Sequence, residues 1–344
     1  MVSESVLRVS SCHECDTRCV DPRACGVQII PDATASDVMN SAQTLQYDPL
    51  KHVPLNQQAL TKCNNVTNGD GSMGSTLEHQ RLCDVTAAGA VSRCGARRQN
   101  NQDAFIADED LAMYVVADGI GSLAGGEVAS AIACCEIISL QEHSIDWHNV
   151  DSDSGRHAAI RSAIRDCFRA ADKRIVCEQS MGPFWSRMGT TALLAYVDVE
   201  HDDSPATSPT YRLYVGNVGA CRALLVRDGE VSQLTHDHTL AFGLREAGVI
   251  SEEQAIRHPG CNELYMYLGG AICDGPEIYS CPASYGDRVI LMTDGITRVL
   301  DNQQVVELVS SVADVDAAAS ILADEAVEHG AGDDVTCVVI DIQD

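Results

Sequence analysis

Two apolar runs in this 344-residue chain end in the same dipeptide. Val115–Ala117 lead into Asp118-Gly119, and Val289–Thr293 lead into Asp294-Gly295. Each aspartate stands at the end of a candidate buried strand, poised at a sheet rim, and the glycine after it lets another backbone approach closely. "GAGDDVT" adds Asp333 and Asp334 just before the last apolar run, and "RRQNNQDAF" adds Asp103 with Arg98 nearby. Hard divalent cations take oxygen ligands, a few carboxylates plus waters. Asp118, the Gly119 carbonyl and Asp294 meet that demand, and Asp333 and Asp334 add two more carboxylates. Brought to one rim, such clusters could hold two cations, which activate a bridging water and clamp the oxygens of a phosphoryl displacement. An arginine beside them would grip phosphate as a fork.

Each piece alone has a plainer reading. Asp-Gly is a common turn, and Asp228-Gly229 in "CRALLVRDGEVSQLT" is read as one, at the tip of a hairpin. "GSLAGGE", after Asp118, could cradle a phosphate through backbone N–H groups. It lacks GxGxxG spacing and the Lys-Ser/Thr of a P-loop, and Asp118 would repel phosphate unless a cation intervened. A metal site is therefore preferred. His236-x-His238 is read as part of a structural loop rather than as a general acid. No cysteine has an arginine at the Cys-x5-Arg offset within a glycine-rich loop, so cysteine chemistry plays no part in the reading.

The elements that must position these residues are legible from about Leu82 onward. "LAMYVVAD" (111–118), "TTALLAYVDV", "YRLYVGNVG", "DRVILMTD" and "DVTCVVIDI" are strand candidates. Apolar residues at Val128, Ala131, Ile132, Cys135 and Ile138, and at Ile160, Ile164, Phe168 and Ile175, have helical spacing. "SEEQAIRHP" opens with a capping box, Ser251 and Gln254, and stops at Pro259. One long helical stretch is expected over 303–328. The strand and hairpin order argues for largely antiparallel pairing rather than a doubly wound sheet. No internal repeat of 20–50 residues is present.

Formal net charge is −27. Residues 1–80 hold 5 basic and 9 acidic side chains, leaving 18 against 41 for the remainder, so the acidity belongs to the main domain. Such a field repels nucleic acid and anionic membrane and suits a protein that concentrates divalent cations, although solubility alone would also account for it. No run approaches the roughly 18 apolar residues of a membrane span. "MVSESVLRVSSCHEC" lacks a basic segment followed by a long apolar one, which points to a cytoplasmic protein. Of the 16 cysteines, Cys134, Cys135, Cys167 and Cys337 sit in apolar patterns and read as small buried hydrophobes in a reducing compartment. Residues 1–80 read as a poorly structured extension, and 81–344 as the folded domain. The extension contains Cys12, Cys15, Cys19 and Cys25 around His13. Zinc usually wants two separated Cys-x2-Cys knuckles and only one is present, so an incidental cysteine-rich segment is preferred.

As a set, "GARRQNNQDAF", "VADGIGSLAGGEVAS", "MGTTALLAYV", "VGNVGACRALLVRDGEVSQLTHDHTL", "LGG", "ILMTDGIT" and "GDDVTCVVI" resemble, in order and spacing, the metal-dependent type 2C serine/threonine phosphatases, and most of all their compact bacterial-type members. The resemblance covers about 82–344. It implies an α+β fold of two packed antiparallel β-sheets flanked by helices, with Mn²⁺ or Mg²⁺ in the cleft between the sheets. It further implies that Asp118 bridges two ions, that Gly119 lends one its carbonyl, and that Asp294 and Asp333 bind the other. Asp103 and Gln102 would hold water at the ions, and Arg98 the substrate phosphate. Implied partners are phosphorylated proteins and a cognate Ser/Thr kinase, with no nucleic acid, no membrane insertion and a monomeric state.

Several residues depart from the pattern. The family's Gly-Asp-Ser-Arg reads Gly219-Ala220-Cys221-Arg222 here. The missing aspartate helps bind a third ion in active relatives, and Ala220 cannot ligate anything. Ile120 stands where some relatives place a histidine acid. Gln102 replaces a glutamate, Asp334 an asparagine, and Ser122 and Leu123 alter the loop after Gly121. The two-ion core survives all of these. Hydrolysis of phosphoserine and phosphothreonine in proteins is the reading adopted. The alternatives are a catalytically weak relative serving as a regulatory scaffold, and a phosphatase for an anti-sigma antagonist, from whose branch the Arg98 motif and "LTHDHTL" point away.

Overall fold

The structure, a computed structural model, describes residues 6–8, 28–30, 85–98, 100–121, 125–141, 153–182, 185–200, 210–270 and 275–343. The chain divides into two units, Met1–His52 and Val53–Asp344. In the first, β1 (Val6–Arg8) pairs antiparallel with β2 (Gln28–Ile30), Val6 opposite Ile30. The expected boundary at 80/81, the four N-terminal cysteines and the altered loop residues Ser122 and Leu123 lie outside the described residues.

The second unit holds two antiparallel sheets. One runs in the order β10 (Glu230–Gln233), β9 (Arg222–Arg227), β12 (Arg288–Met292), β13 (Val335–Ile342), β3 (Thr86–Arg93). The other runs β11 (Glu277–Ala283), β8 (Thr210–Val218), β7 (Ala192–Glu200), β5 (Met113–Ile120), β4 (Asp103–Asp108), with the short β6 (Gly189–Thr190) also on β5. Helices α1 (Gly126–Ile138) and α2 (Asp153–Gln179) cover the second sheet. The short α3 (Leu240–Glu246) and α4 (Glu252–Ile256) follow β10. After β12 come the single turn α5 (Asp294–Thr297), α6 (Asn302–Ser310) and α7 (Val315–Glu328), of which the last two cover the first sheet.

The layering follows from the two-residue period of strands. In β5, Tyr114 and Val116 face the other sheet while Met113, Val115 and Ala117 face α1 and α2. In β12, Val289 and Leu291 point into the sandwich, and Ile290 and Met292 point toward α6 and α7. Sheets covered on both faces need apolar residues at every position, which is why these strands read as unbroken runs rather than as alternation. The result is four layers, helix–sheet–sheet–helix, as the resemblance implied.

Two boundaries differ from expectation. The stretch expected as one helix over 303–328 is two: Asp301 caps α6 in a capping box with Gln304, and Asp314 caps α7 by accepting the Ala317 N–H. A second cap is a restart signal that apolar spacing alone does not reveal. Strand β5 runs two residues past Asp118, because Gly119 and Ile120 pair with Thr190 and Gly189. The hairpin at Asp228-Gly229 is as read, with φ of 52° and 80° at the two turn residues, and α4 carries the Ser251/Gln254 capping box.

Candidate active site

The sandwich brings four separated stretches to one rim. Asp103, the first residue of β4, lies directly opposite Asp118 of β5. Asp294 opens α5, immediately after β12, and Asp333 and Asp334 immediately precede β13. The glycines after Asp118 and Asp294 are required by close approach. A Cβ on Gly119 would lie 2.3 Å from the Gly126 carbonyl oxygen, and one on Gly295 would lie 1.9 Å from that of Asp334. The lone Asp228-Gly229 has nothing within 4 Å, so the same dipeptide serves two physical ends.

Threonines hold the first pair of aspartates. One oxygen of Asp103, Oδ2, accepts from Thr293 (2.9 Å) and Thr336 (2.6 Å). The backbone of Asp118 is clamped by two more: its carbonyl accepts from Thr190 Oγ1 at 2.8 Å and from the Thr191 N–H at 2.9 Å, and its N–H donates to Thr191 Oγ1 at 3.1 Å. Thr191 Oγ1 also meets the Cys221 thiol at 3.1 Å. Asp334 is a structural anchor, its two oxygens accepting the N–H groups of Gly95 and Gln102, both at 2.8 Å. It thereby ties the loop that carries Arg98 to β13.

Arginines reach the remaining carboxylates. Arg98 donates to Asp333 Oδ1 through Nε (2.7 Å) and through a terminal nitrogen (2.5 Å). Arg298 bridges Asp294 Oδ2 at 2.5 Å and Asp333 Oδ2 at 2.9 Å. The Gln102 side chain lies between Arg98 and Glu127, at 3.4 Å from each. Arg97, Arg98, Arg298 and Asp333 line a cleft of ≈ 460 Å³. His238 is buried, its Nδ1 accepting the Gly219 N–H at 3.0 Å, so it braces the loop that holds Ala220. His236 pairs with Glu277 at 2.6 Å.

The electrostatics are those of crowded carboxylates. Burial, reinforced by Asp294, Asp103 and Asp333, holds the Asp118 carboxyl well above its usual range. Burial, with Asp334 and Asp294, raises Asp103 to about 7 against the pull of its two threonine hydrogen bonds. Asp294 is raised by burial and by Asp333, against the opposing charge of Arg298. Asp103 Oδ1 and Asp294 Oδ1 are buried without a hydrogen-bond partner. A buried carboxylate oxygen with no donor is costly, and a hard cation satisfies it with the ligand chemistry these oxygens offer. The residues therefore fit Mg²⁺ or Mn²⁺. Among the described residues no three Asp, Glu, His or Cys side chains form a ready ion cage; Arg98 and Arg298 stand among the carboxylates instead.

All seven residues singled out in the sequence, Arg98, Gln102, Asp103, Asp118, Gly119, Asp294 and Asp333, lie in this region. Sequence reasoning missed Thr190, Thr191, Thr293, Thr336 and Arg298. The available signal was position: Thr293 directly precedes Asp294, Thr336 follows the Asp333-Asp334 pair at the start of β13, and Arg298 is one helical turn beyond Asp294.

Fold and rim together define a two-sheet sandwich built to gather carboxylates from distant strands. The Protein phosphatase 2C profile matches residues 92–329. The chain is 30% identical over 264 residues to the serine/threonine protein phosphatase PstP of Mycobacterium tuberculosis, covering 77% of this chain and 46% of that protein. It is 26% identical over 249 residues to a putative protein phosphatase 2C-type of Streptococcus pyogenes, covering 72% and 93%. The crystal structure of the PstP catalytic domain in complex with two manganese ions superposes with a TM-score of 0.60 at 28% identity, covering 76% of this chain and 99% of that one. This chain belongs to the protein phosphatase 2C family. It spans about half the length of the mycobacterial relative.

Proposed function

We propose that this protein is a metal-dependent protein serine/threonine phosphatase that hydrolyses phosphoserine and phosphothreonine with water activated by two Mn²⁺ or Mg²⁺ ions. The observation that carries the reading is the pair of buried, unpartnered oxygens on Asp103 and Asp294, beside Asp118. Bound there, the ions would supply a water acidic enough to ionise near neutral pH and would stabilise the charge of phosphoryl transfer. Asp118, the Gly119 carbonyl, Asp294 and Asp333 would hold them.

The chain's own groups do the rest. Thr293 and Thr336 fix one Asp103 oxygen and leave the other buried without a donor. Asp103, with Gln102, would orient water. Arg98, whose guanidinium already holds a carboxylate with two nitrogens, has the fork that also suits a phosphate. Ala220 motivates a scaffolding role, but the gathered carboxylates support turnover. Among the described residues no helix is long and apolar enough to cross a membrane. A cytoplasmic monomer acting on phosphoproteins made by a cognate kinase completes the reading.

The test is phosphate release from p-nitrophenyl phosphate and from phosphoserine and phosphothreonine peptides, with Mn²⁺ and with chelator, for wild type, Asp118→Ala and Asp294→Ala. Release that requires Mn²⁺ and disappears in both variants is expected. Release that is equal in all three proteins, or absent from all, ends the proposal.

A further inference from the structure

Arg298 reaches two of the rim carboxylates, and the phosphatase reading does not use it. It lies one turn beyond Asp294, and because α5 is a single turn the two side chains stack at i and i+4. Its guanidinium takes two carboxylates at once, Asp294 Oδ2 and Asp333 Oδ2. Both contacts lie at the solvent edge of the site, with the carboxylates the more buried partners. The carboxylate side chains are only 14% and 17% exposed, against 36% for the arginine. The pairing is also selective within Asp294, since Oδ2 faces Arg298 while Oδ1 is buried without a partner. The inner oxygen stays free for an ion, and the outer one is already neutralised.

Ala220 points the same way from another strand. It lies in the loop between β8 and β9, next to Cys221, whose buried thiol meets Thr191 Oγ1, the hydroxyl that also accepts the Asp118 N–H. The resemblance expects an aspartate there that helps hold a third, outer ion. In this chain that anion is missing, and a tethered cation, Arg298, holds Asp294 and Asp333. Both changes reduce the need for an ion there.

We propose that Arg298 is a built-in counter-cation that takes the place of the third, outer metal ion, so that the loaded protein holds two ions and not three. The proposal rests on the phosphatase reading for the identity of the metal and for the third site. A planar guanidinium can span two carboxylates, whereas an ammonium at the same place contacts them as a point charge. Arg298 also competes for Asp333, both of whose oxygens are held by arginines.

The experiment is a Mn²⁺ titration of the full chain by calorimetry, with electron paramagnetic resonance of free Mn²⁺ as a second count. Wild type is expected to bind two ions. Arg298→Ala should bind its weaker ion tighter by about tenfold, because the competitor at Asp333 is gone, and Arg298→Lys should fall between them. Ala220→Asp alone should still bind two, and Ala220→Asp with Arg298→Ala should bind a third. Melting in chelator confirms that each variant is folded. Three ions in wild type, or Arg298→Ala with unchanged affinity, overturns the proposal. A protein that shows the expected ion counts and releases no phosphate would refute the phosphatase reading and leave Arg298 as assigned.

Discussion

Asp103 and Asp118 face each other directly across β4 and β5, two carboxylates paired in register on adjacent antiparallel strands. Like charges so placed destabilise a sheet by up to about 1 kcal/mol when exposed, and by more when desolvated. The fold tolerates the pair by binding one Asp103 oxygen with two threonines and by clamping the Asp118 backbone with two more. Asp118→Asn should therefore stabilise the metal-free protein by roughly 1 kcal/mol and reduce phosphate release by at least about a hundredfold. Urea melts in chelator, beside the hydrolysis assay, check both; a variant less stable than wild type without metal would contradict the repulsion.

The glycines make a second prediction. Gly295→Ala puts a methyl group 1.9 Å from the Asp334 carbonyl oxygen, and Gly119→Ala puts one 2.3 Å from that of Gly126. Neither backbone can yield without moving β13 or α1, so each should lose roughly 3 kcal/mol or more. Gly229→Ala meets no atom within 4 Å but keeps a φ of +80°, and should lose only about 1 kcal/mol. Denaturant midpoints of the three variants rank them. Equal losses would show that the two site glycines serve only as turns.

Acid sensitivity follows from Glu277. Burial would raise its carboxyl, but His238 Nε2 at 3.7 Å, the His236 ring at 2.6 Å and the His236 N–H at 3.3 Å outweigh burial and lower it to about 2 from an ordinary 4.5. A carboxyl with a depressed folded value lends stability that is fully present above its unfolded value and is lost as pH falls through the folded one. The window is thus between 4.5 and about 2. Glu277→Gln should lower the melting temperature near neutral pH, and the gap from wild type should narrow steadily as pH drops through that window. A gap independent of pH would remove the ionised carboxylate from the account.

The candidate site was legible because its carboxylates sit where the sequence changes character. Asp118 and Asp294 each follow an apolar run, and Asp333 precedes one, so strand positions alone suggested a shared rim. The strands themselves were legible because both sheet faces are buried, which makes runs such as "YVVA" and "VILM" continuous. The break between α6 and α7 was not, since Val312 and Val315 pack against the same core and continue the apolar pattern across it. The threonines were missed for a related reason: a hydroxyl in a strand carries no periodic signal, and its partner is chosen by register.

The sequence by itself determined which residue types are available, where the strands and most helices run, and that carboxylates rather than thiols or imidazoles stand at the strand ends that meet at the rim. Tertiary structure alone decided which carboxylate oxygens are free and which are held. Thr293 and Thr336 select one oxygen of Asp103, and Arg298 selects one oxygen of Asp294. Those choices depend on contacts between residues as far as 233 positions apart in the chain. They arise only when the packing of two twisted sheets sets distances to a few tenths of an ångström, which no local pattern of residues encodes.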